Sequence, residues 1–330
     1  MMKAIVQDRY GPPDVLRLDD VDRPVPGSGE VLVRVRAATV NARDWHLMRG
    51  DPYIARLVSS AMGINRPKLR VRGTDFAGTV EAVGPNVRWF GVGDEVYGEV
   101  HGAFAEYVCA PSGVVGSKPA TLTFEQAAAV PLAGNTALVA LRDAAQLSDG
   151  QRVLINGASG GVGTFAVQIA KVFGADVTAV CSTRNADLVR SIGADEVVDY
   201  TRDDFTRGHK RYDVVLDLVG NRRLAELRRV LTPTGTLVLS GGGVSTGGSL
   251  VGPMGLFLRG TLAARFAGRQ RIRTMTEVPA SASNLATLRD LIDAGLVNPV
   301  IDRTYPLTDA AEAIRYLEVE HARAKVVITM

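Results

Sequence analysis

The sequence predicts an α/β protein with an antiparallel, barrel-like domain and a doubly wound parallel sheet. Short β-type runs separated by Gly and Pro turns fill residues 1 to about 120. From Phe124 onward, helical and strand patterns alternate, which is typical of a parallel sheet with helices on both faces. The C-terminal residues again mix short strand-like and helical patterns, as the first part does. A chain of 330 residues is long enough for two domains, each with its own core.

The N-terminal part alternates strand-like runs with turn signals such as Gly11-Pro12-Pro13. Its predicted strands are Lys3–Val6, Glu30–Arg36, Gly78–Gly84, Asp94–Gly98 and Ala105–Val108. The following part has predicted helices at 125–129, 136–145, 164–173, 187–192 and 222–230. Its predicted strands are 153–158, 176–181, 196–199, 213–217, 236–240 and 271–275. Helices at 283–294 and 309–320 and strands at 300–301 and 325–329 complete the prediction.

A glycine-rich turn joins the strand VLINGA to the helix that begins near Thr164. The turn reads Ser159-Gly160-Gly161-Val162-Gly163, and Gly161-x-Gly163-x-x-Ala166 fits the dinucleotide-binding fingerprint. Glycines let the backbone approach a pyrophosphate, and the free N–H groups at a helix start favour its charge. We therefore predict a dinucleotide cradle at Ala158, Ser159, Gly160, Gly161 and Val162, with a plain glycine-rich turn as the alternative.

Composition excludes several other classes of protein. The chain is 46% hydrophobic and 22% charged with a net charge of +3, and its densest basic run, Arg259 to Arg273, holds five arginines among apolar residues. We expect no nucleic-acid partner. Two cysteines, Cys109 and Cys181, give no disulfide framework and indicate a reducing cytoplasm. No run is long and apolar enough for a membrane span, so we expect no membrane partner and a cytoplasmic protein.

The residues after the second strand of the parallel sheet indicate which nicotinamide cofactor is bound. Ser182, Thr183 and Arg184 follow that strand, and no acid comes before Asp187. An acid at this point would bind the ribose of NADH, whereas hydroxyls and a guanidinium suit the 2′-phosphate of NADPH. We predict NADPH, the alternative being that Arg184 is a solvated helix start. By the rule that ligands lie beyond strand ends, Ser240, Gly241 and Gly242 are predicted to approach the nicotinamide.

Several motifs resemble the medium-chain dehydrogenase/reductase superfamily, specifically its zinc-independent quinone oxidoreductase (zeta-crystallin)-like branch. They are VNARDWHLMRG (40–50), GTDFAG (73–78), GDEVY (93–97), AFAEYV (103–108), PLAGNTA (131–137), the glycine turn and RAKVV (323–327). The resemblance implies a GroES-like domain (1–124 and 279–330) around a Rossmann NADP-binding domain (125–278). It adds Asn41, Thr136, Tyr200, Val219 and Lys325 as cofactor contacts. It also implies a homodimer, paired through the strand near Arg271 to Met275.

The zinc enzymes of this superfamily place metal ligands at positions that correspond here to Asn41, Thr74 and the neighbourhood of Leu132. None of these is a good zinc ligand, and the cysteines of the structural zinc lobe are missing, so we predict no metal. The histidines, His46, His101, His209 and His321, show no metal-binding spacing. Ala324 stands where similar chains usually carry Gly before the lysine. Its Cβ either lies near the cofactor or is tolerated in a strand.

Without a metal, hydrogen-bond donors must stabilise the charge that forms on the substrate, which favours activated acceptors such as quinones and enones. The resemblance makes Asn41 a donor to the substrate oxygen and His46 a proton donor, with Tyr53 and Leu132 lining the pocket. The alternative for His46 is a residue beside Trp45 that bonds the backbone. Residues 244–268 are either a lid over an apolar substrate or a dimer-contact helix. The alternative functions are an NADP-dependent alcohol or aldehyde reductase and a non-catalytic, crystallin-like NADPH-binding protein.

Overall fold

The computed structural model describes residues 1–59, 61–241, 249–252, 254–320 and 322–330. These residues form two compact units. The first comprises Met1–Asn135, Pro279–Gly295 and Pro299–Met330, and the second comprises Thr136–Val278 and Leu296–Asn298. The chain therefore leaves the first unit, builds the second, and returns.

The elements follow in chain order. Those up to the second unit are β1 (Met2–Val6), β2 (Arg17–Val21), β3 (Glu30–Val40), α1 (Ala42–Arg49), α2 (Ala55–Val58), β4 (Asp75–Val83), β5 (Glu95–Glu99), β6 (Tyr107–Pro111), β7 (Val115–Ser117), α3 (Phe124–Ala128) and α4 (Pro131–Leu138). The second unit continues with a π-helix (Val139–Ala145), β8 (Arg152–Asn156), α5 (Gly161–Val172), β9 (Asp176–Cys181), α6 (Ala186–Ser191), β10 (Glu196–Asp199), β11 (Tyr212–Asp217), α7 (Leu224–Arg229), β12 (Leu231–Leu239), α8 (Met254–Ala264) and β13 (Arg271–Thr274). The return supplies α9 (Ala282–Asp293), β14 (Ile301–Pro306), α10 (Ala310–Glu320) and β15 (Lys325–Thr329).

The first unit is built on a largely antiparallel sheet of order β14-β15-β3-β4-β5-β7, with β6 also paired to β3. Alternating apolar residues of β3, such as Val31, Val33 and Val35, are buried in its core with Phe76 and Phe104. The C-terminal strand β15 pairs antiparallel with β3, so that Val326 lies opposite Val40. This register brings Lys325 beside Asn41, although 284 positions separate them in sequence.

The second unit contains a six-stranded parallel sheet of order β10-β9-β8-β11-β12-β13. Its central strands bury apolar residues such as Leu154, Val180 and Leu237, as expected for a parallel sheet that helices cover on both faces. The carboxyl ends of neighbouring parallel strands lie at one edge. The glycine turn after β8 and the loops after β9, β10 and β11 therefore meet there.

The predicted boundary at residue 125 is wrong, because the second unit begins at Thr136. Helix α3, which was assigned to the second domain, packs on β3 and β4 of the first unit. The return to the first unit is also interrupted. Asn298 belongs to the second unit, where its backbone N–H donates to Gln168 Oε1 at 2.8 Å and its carbonyl accepts from Gln168 Nε2 at 2.9 Å.

Candidate functional site

A buried polar cluster in the first unit centres on Asn41, which is 5% exposed. Asn41 precedes α1, and its backbone N–H donates to the Asp44 carboxylate at 2.8 Å. Its side-chain Nδ2 donates to Asp75 Oδ2 at 3.0 Å and to Thr74 Oγ1 at 3.2 Å. Its Oδ1 accepts from Lys325 Nζ at 2.6 Å. Since both amide hydrogens are already used, Asn41 can donate to a substrate oxygen only if one of these bonds breaks.

Lys325 brings a buried positive charge into this cluster. The side chain is 2% exposed, and its Nζ lies 3.6 Å from Asp75 Oδ2. Burial lowers the pKa of Lys325, while the negative charge of Asp75 opposes that shift. Asp75 is fully buried, and it also accepts from the Thr39 hydroxyl at 3.0 Å and from the Leu132 N–H at 3.2 Å. The sequence predicted Lys325 as a cofactor contact; the structure places it in a polar network with Asn41 and Asp75.

The residue before Lys325 is held in a conformation that suits glycine. Ala324 has φ +56°, which lies in the left-handed region, and it is buried. A Cβ there costs roughly 1–2 kcal/mol. The substitution for glycine is therefore accommodated at the start of β15 with backbone strain.

Two further carboxylates of the cluster have shifted pKa values. Burial raises the pKa of Asp44 to about 6, against the opposing hydrogen bond from the Asn41 backbone. Burial, together with the charge of Asp75, raises the pKa of Glu99 to about 7, although Arg43 contacts the Glu99 carboxylate. Glu99 lies opposite Asp75 in the β4–β5 register, which brings two carboxylates onto neighbouring strands. This unit therefore holds acids that titrate near neutral pH.

The residues of this cluster do not fit a zinc ion. Asn41, Thr74 and Leu132 do lie together around Asp75, as their correspondence to metal-ligand positions implies. Amide, hydroxyl and leucine are poor zinc ligands, and the ammonium of Lys325 would repel a cation beside Asp75. In the described ranges no group of three or more His, Cys, Asp or Glu side chains is placed to hold a metal.

His46 adopts the arrangement that the sequence left as its alternative. It lies on α1 with its ring edge-on to Trp45, and its Nδ1 is 2.9 Å from the backbone carbonyl of Asp51. A carbonyl only accepts, so Nδ1 carries the proton. Burial lowers the pKa of His46, which favours a neutral ring whose Nε2 has no proton to give. Tyr53 is 42% exposed and lies under the Arg56 guanidinium, 4.6 Å from its ring centroid.

The glycine turn of the second unit has the backbone geometry that the motif predicts. Helix α5 begins at Gly161, directly after Gly160. A Cβ on Gly163 would lie 2.1 Å from the carbonyl oxygen of Gly157, so this glycine permits the close strand-to-helix turn. A Cβ on Gly160 would meet only the Gly157 carbonyl, at 3.4 Å. The N–H groups at the start of α5 are of the kind that favours an anion.

Asn185, a residue that the sequence analysis did not single out, connects the two predicted phosphate loops. Its Nδ2 donates to Ser159 Oγ at 3.0 Å and to Ser182 Oγ at 3.4 Å. Both serine oxygens act as acceptors in these bonds, so their hydroxyl hydrogens remain for another acceptor. Asn185 is buried, and no hydrogen bond to its Oδ1 occurs within the described part of the chain. Asn185 therefore links the loop after β8 to the loop after β9.

The predicted 2′-phosphate site contains an acid that the sequence analysis missed. Asp199, at the end of β10, lies opposite Cys181 at the end of β9. The Thr183 hydroxyl donates to Asp199 Oδ2 in a short contact, and the Thr201 hydroxyl donates to Asp199 Oδ1 at 2.7 Å. Hydrogen bonds from both threonines lower the pKa of Asp199, which keeps it ionised. Parallel pairing of these two strands was the signal that could have found it.

Two of the remaining predicted cofactor residues, Val219 and Gly241, follow strands β11 and β12 of the parallel sheet. Val219 and Gly220 donate their backbone N–H groups to Asp217 Oδ1, which also accepts from Asn156 Nδ2 at 2.8 Å. A Cβ on Gly241 would lie 1.9 Å from the Leu218 carbonyl oxygen, so packing alone requires glycine there. Thr136, which lies within α4, and Ser240 are half-buried, and Arg184 and Tyr200 are exposed. Gly242 and His321 lie outside the described residues.

Two family models match the chain. The model described as an alcohol dehydrogenase GroES-like domain matches residues 27–120, and the model described as a zinc-binding dehydrogenase matches residues 192–328. The NAD(P)H oxidoreductase RTN4IP1, mitochondrial, of Mus musculus is 34% identical over 369 residues, covering 100% of this chain and 89% of the relative. The chain belongs to the medium-chain dehydrogenase/reductase superfamily, in its quinone oxidoreductase branch.

Two further comparisons agree with this assignment. The NADPH-dependent alkenal/one oxidoreductase, chloroplastic, of Arabidopsis thaliana is 33% identical over 342 residues, covering 99% of this chain and 79% of the relative. The solved quinone oxidoreductase from Coxiella burnetii superposes with a TM-score of 0.86 at 31% identity, covering 100% of this chain and 99% of that structure. The predicted family, the α/β fold and the assignment as an oxidoreductase are confirmed.

The prediction of a cytoplasmic protein is wrong. The relatives from Mus musculus and Arabidopsis thaliana are named as a mitochondrial and a chloroplastic protein. The prediction depended on the two cysteines, and a low cysteine count distinguishes oxidising from reducing surroundings but not one reducing compartment from another. Among the described helices, none has the length and apolar character that crossing a bilayer requires.

Proposed function

We propose that this chain is an NADPH-dependent reductase that transfers a hydride to quinones or α,β-unsaturated carbonyl compounds without zinc. Relatives named for NAD(P)H, NADPH, quinones and alkenals support the cofactor and the acceptor class. The observation that carries the zinc-free part is the Lys325 ammonium, which lies beside Asp75 among the positions that correspond to metal ligands.

The second unit holds the cofactor. The N–H groups at the start of α5 face its pyrophosphate, with Ala158, Gly161 and Val162 completing the turn. Asn185 orients the hydroxyls of Ser159 and Ser182 toward phosphate oxygens, and Arg184 supplies a guanidinium for the 2′-phosphate. When bound, NADPH supplies the hydride for the reduction. The other contacts along this edge are Thr136, Tyr200, Val219, Ser240, Gly241 and Gly242.

The first unit stabilises the charge that forms on the acceptor. Negative charge develops on the acceptor oxygen as it is reduced, and a fixed positive charge nearby lowers the barrier. Lys325 supplies that charge, and Asn41 positions it by accepting its N–H at 2.6 Å. A single ammonium polarises a carbonyl less than Zn²⁺ does, which favours acceptors that are already electron-poor. Leu132 and Tyr53 line the substrate pocket in this proposal, and His46 fixes the end of α1.

We also propose that the protein is a homodimer paired through β13. This strand stands last in the order of the parallel sheet in the part of the chain that the structure describes. Helix α8 packs on it and exposes Leu258 and Leu262, and Phe266 just beyond is 83% exposed. Exposed apolar side chains beside a strand edge suit a second copy of the chain. This interpretation favours the dimer-contact helix over the lid, and a molar mass of twice 35.1 kDa in solution would support it.

The test of the proposed function is NADPH oxidation over a panel of quinones, enones, aldehydes and ketones. We expect turnover with quinones or enones and little with simple ketones. Turnover confined to aldehydes or simple ketones would overturn the acceptor class, and tight NADPH binding without any turnover would indicate a non-catalytic protein.

A pair of variants tests the part of Lys325. Lys325→Met should lower kcat about 100-fold, the usual loss when one group that stabilises the developing charge is removed. Lys118→Met is the matched control, because Lys118 is a lysine of the first unit whose side chain is 7% exposed but which pairs with Glu95 outside the cluster. Equal activity of the two folded variants would contradict the role of Lys325.

A further inference from the structure

The inference concerns how strictly the second unit selects NADPH, and it rests on the proposed function. The sequence predicted NADPH because no acid follows β9 before Asp187. In the structure the neighbouring strand supplies one. Asp199 ends β10 opposite Cys181, and Tyr200 N donates to the Cys181 carbonyl at 3.1 Å. The carboxylate of Asp199 thus lies among the residues predicted to hold the 2′-phosphate.

The contacts of Asp199 determine what its neighbours can offer to a ligand. The Thr183 hydroxyl gives its only hydrogen to Asp199 Oδ2. Thr183 can then accept a hydrogen bond from a ribose hydroxyl, but it cannot donate one to a phosphate oxygen. The Thr201 hydroxyl and backbone N–H both donate to Asp199 Oδ1, at 2.7 and 3.0 Å. These bonds hold the carboxylate at the strand end.

The charge of Asp199 acts in the same direction. A 2′-phosphate carries nearly two negative charges at neutral pH, and a carboxylate beside it repels them. The 2′-hydroxyl of NADH carries none, and an acid at this edge of the sheet is the usual partner for it. A carboxylate has about four acceptor positions, of which the two threonines use three, so one remains for a hydroxyl.

We propose that Asp199 is a specificity-determining residue that weakens the preference for NADPH and admits NADH to the same site. Arg184 attracts the 2′-phosphate while Asp199 repels it, and the balance between them sets the ratio of the two affinities. The cofactor preference is therefore determined by two neighbouring strand ends, not by the loop after β9 alone.

The experiment is direct titration of the purified full chain with NADPH and with NADH, read by cofactor fluorescence without substrate. Asp199→Asn keeps the size of the side chain and an acceptor oxygen but removes the charge. We expect Asp199→Asn to tighten NADPH binding roughly five- to tenfold, which is the change expected for the removal of one partly screened charge. The affinity for NADH should stay the same or decrease. Asp187→Asn is the matched control, since Asp187 is the first acid after β9 in the sequence and pairs with Arg190 on the exposed face of α6. It should shift the ratio of the two dissociation constants less than twofold.

Different results distinguish the two proposals. If the wild-type protein binds neither nucleotide, both proposals fail. If it binds them and Asp199→Asn leaves the ratio within twofold, or Asp187→Asn shifts it equally, the role of Asp199 is refuted while the proposed function stands. Should Asp199→Asn not fold, Thr183→Val replaces it: loss of the hydroxyl frees Asp199 Oδ2, and NADPH binding should weaken more than NADH binding. An unchanged ratio in that variant also refutes the role.

Discussion

Replacing Lys325 by methionine should destabilise the first unit strongly, because the change leaves the Asp75 carboxylate buried without a cation. The Nζ–Oδ2 distance of 3.6 Å corresponds to a Coulomb attraction of about 4–5 kcal/mol at an effective dielectric constant of about 20. Measured losses on breaking one side of a buried pair are about 3–5 kcal/mol. We therefore expect Lys325→Met to lower the free energy of unfolding by about 3–5 kcal/mol.

A double-mutant cycle separates the charge interaction from the loss of packing. Asp75→Asn alone should cost about 3–5 kcal/mol, because it leaves the ammonium buried. The two single losses add to about 6–10 kcal/mol, whereas the double variant, which has no unpaired charge, should lose only about 2–4 kcal/mol. The difference is the coupling energy of the pair.

Tryptophan fluorescence in urea is the appropriate assay. Both tryptophans of the chain, Trp45 and Trp89, lie in the first unit, so the signal reports the unfolding of that unit alone. The cycle of Lys118→Met with Glu95→Gln is the control, since Glu95 is more than half exposed and such pairs couple by less than about 1 kcal/mol. A coupling below about 1 kcal/mol for Lys325 and Asp75 would refute the argument that this ammonium neutralises the cluster.

Three further predictions follow from the same unit. Ala324→Gly should raise the free energy of unfolding by about 0.5–1 kcal/mol, because relief of the strain at φ +56° exceeds the entropy cost of glycine. The control, Ala311→Gly in helix α10, should lower it by about 1 kcal/mol. A lower free energy of unfolding in both variants would contradict the strain at Ala324. Glu99 has a folded pKa of about 7, above its unfolded value of 4.5, so its contribution to stability is complete below pH 4.5 and is lost as pH rises through 7. In the wild-type protein the free energy of unfolding should therefore fall by about 3 kcal/mol over that window, and Glu99→Gln should remove the fall. Urea unfolding at several pH values measures this, and the same pH dependence in both proteins would contradict the raised pKa of Glu99. His46→Gln should lower kcat less than tenfold with an unchanged pH profile, because the neutral ring has no proton on Nε2; a loss of about 100-fold would restore the proton-donor role.

The fold was predictable because its signals are local. The strand before Asn156, the glycine turn and the helix to Val172 each follow from a short run of sequence, and their alternation implies the parallel sheet. The domain boundary was not predictable, because α3 has a helical sequence pattern but packs on the strands of the barrel-like unit. Propensity gives the type of an element and not the core in which it is buried.

The candidate site divides in the same way. The loops that are proposed to bind the cofactor were predicted from motifs. Asp199 was missed because its nearness to Thr183 depends on which strands pair. Lys325 was named from a motif, whereas its contact with Asn41, over 284 positions, comes from the antiparallel pairing of β15 with β3. Its partners follow from register, which one sequence does not reveal.

The most direct test of the zinc-free proposal is the rate of NADPH oxidation with a quinone before and after metal removal. The protein is treated with a strong chelator, its metal content is measured, and the rate is compared with that of a sample supplied with zinc. We predict the same rate in all three samples and less than about 0.1 zinc per chain, because the side chains around Asp75 offer poor ligands and an ammonium. A rate that disappears on chelation and returns with one zinc per chain would contradict the proposal.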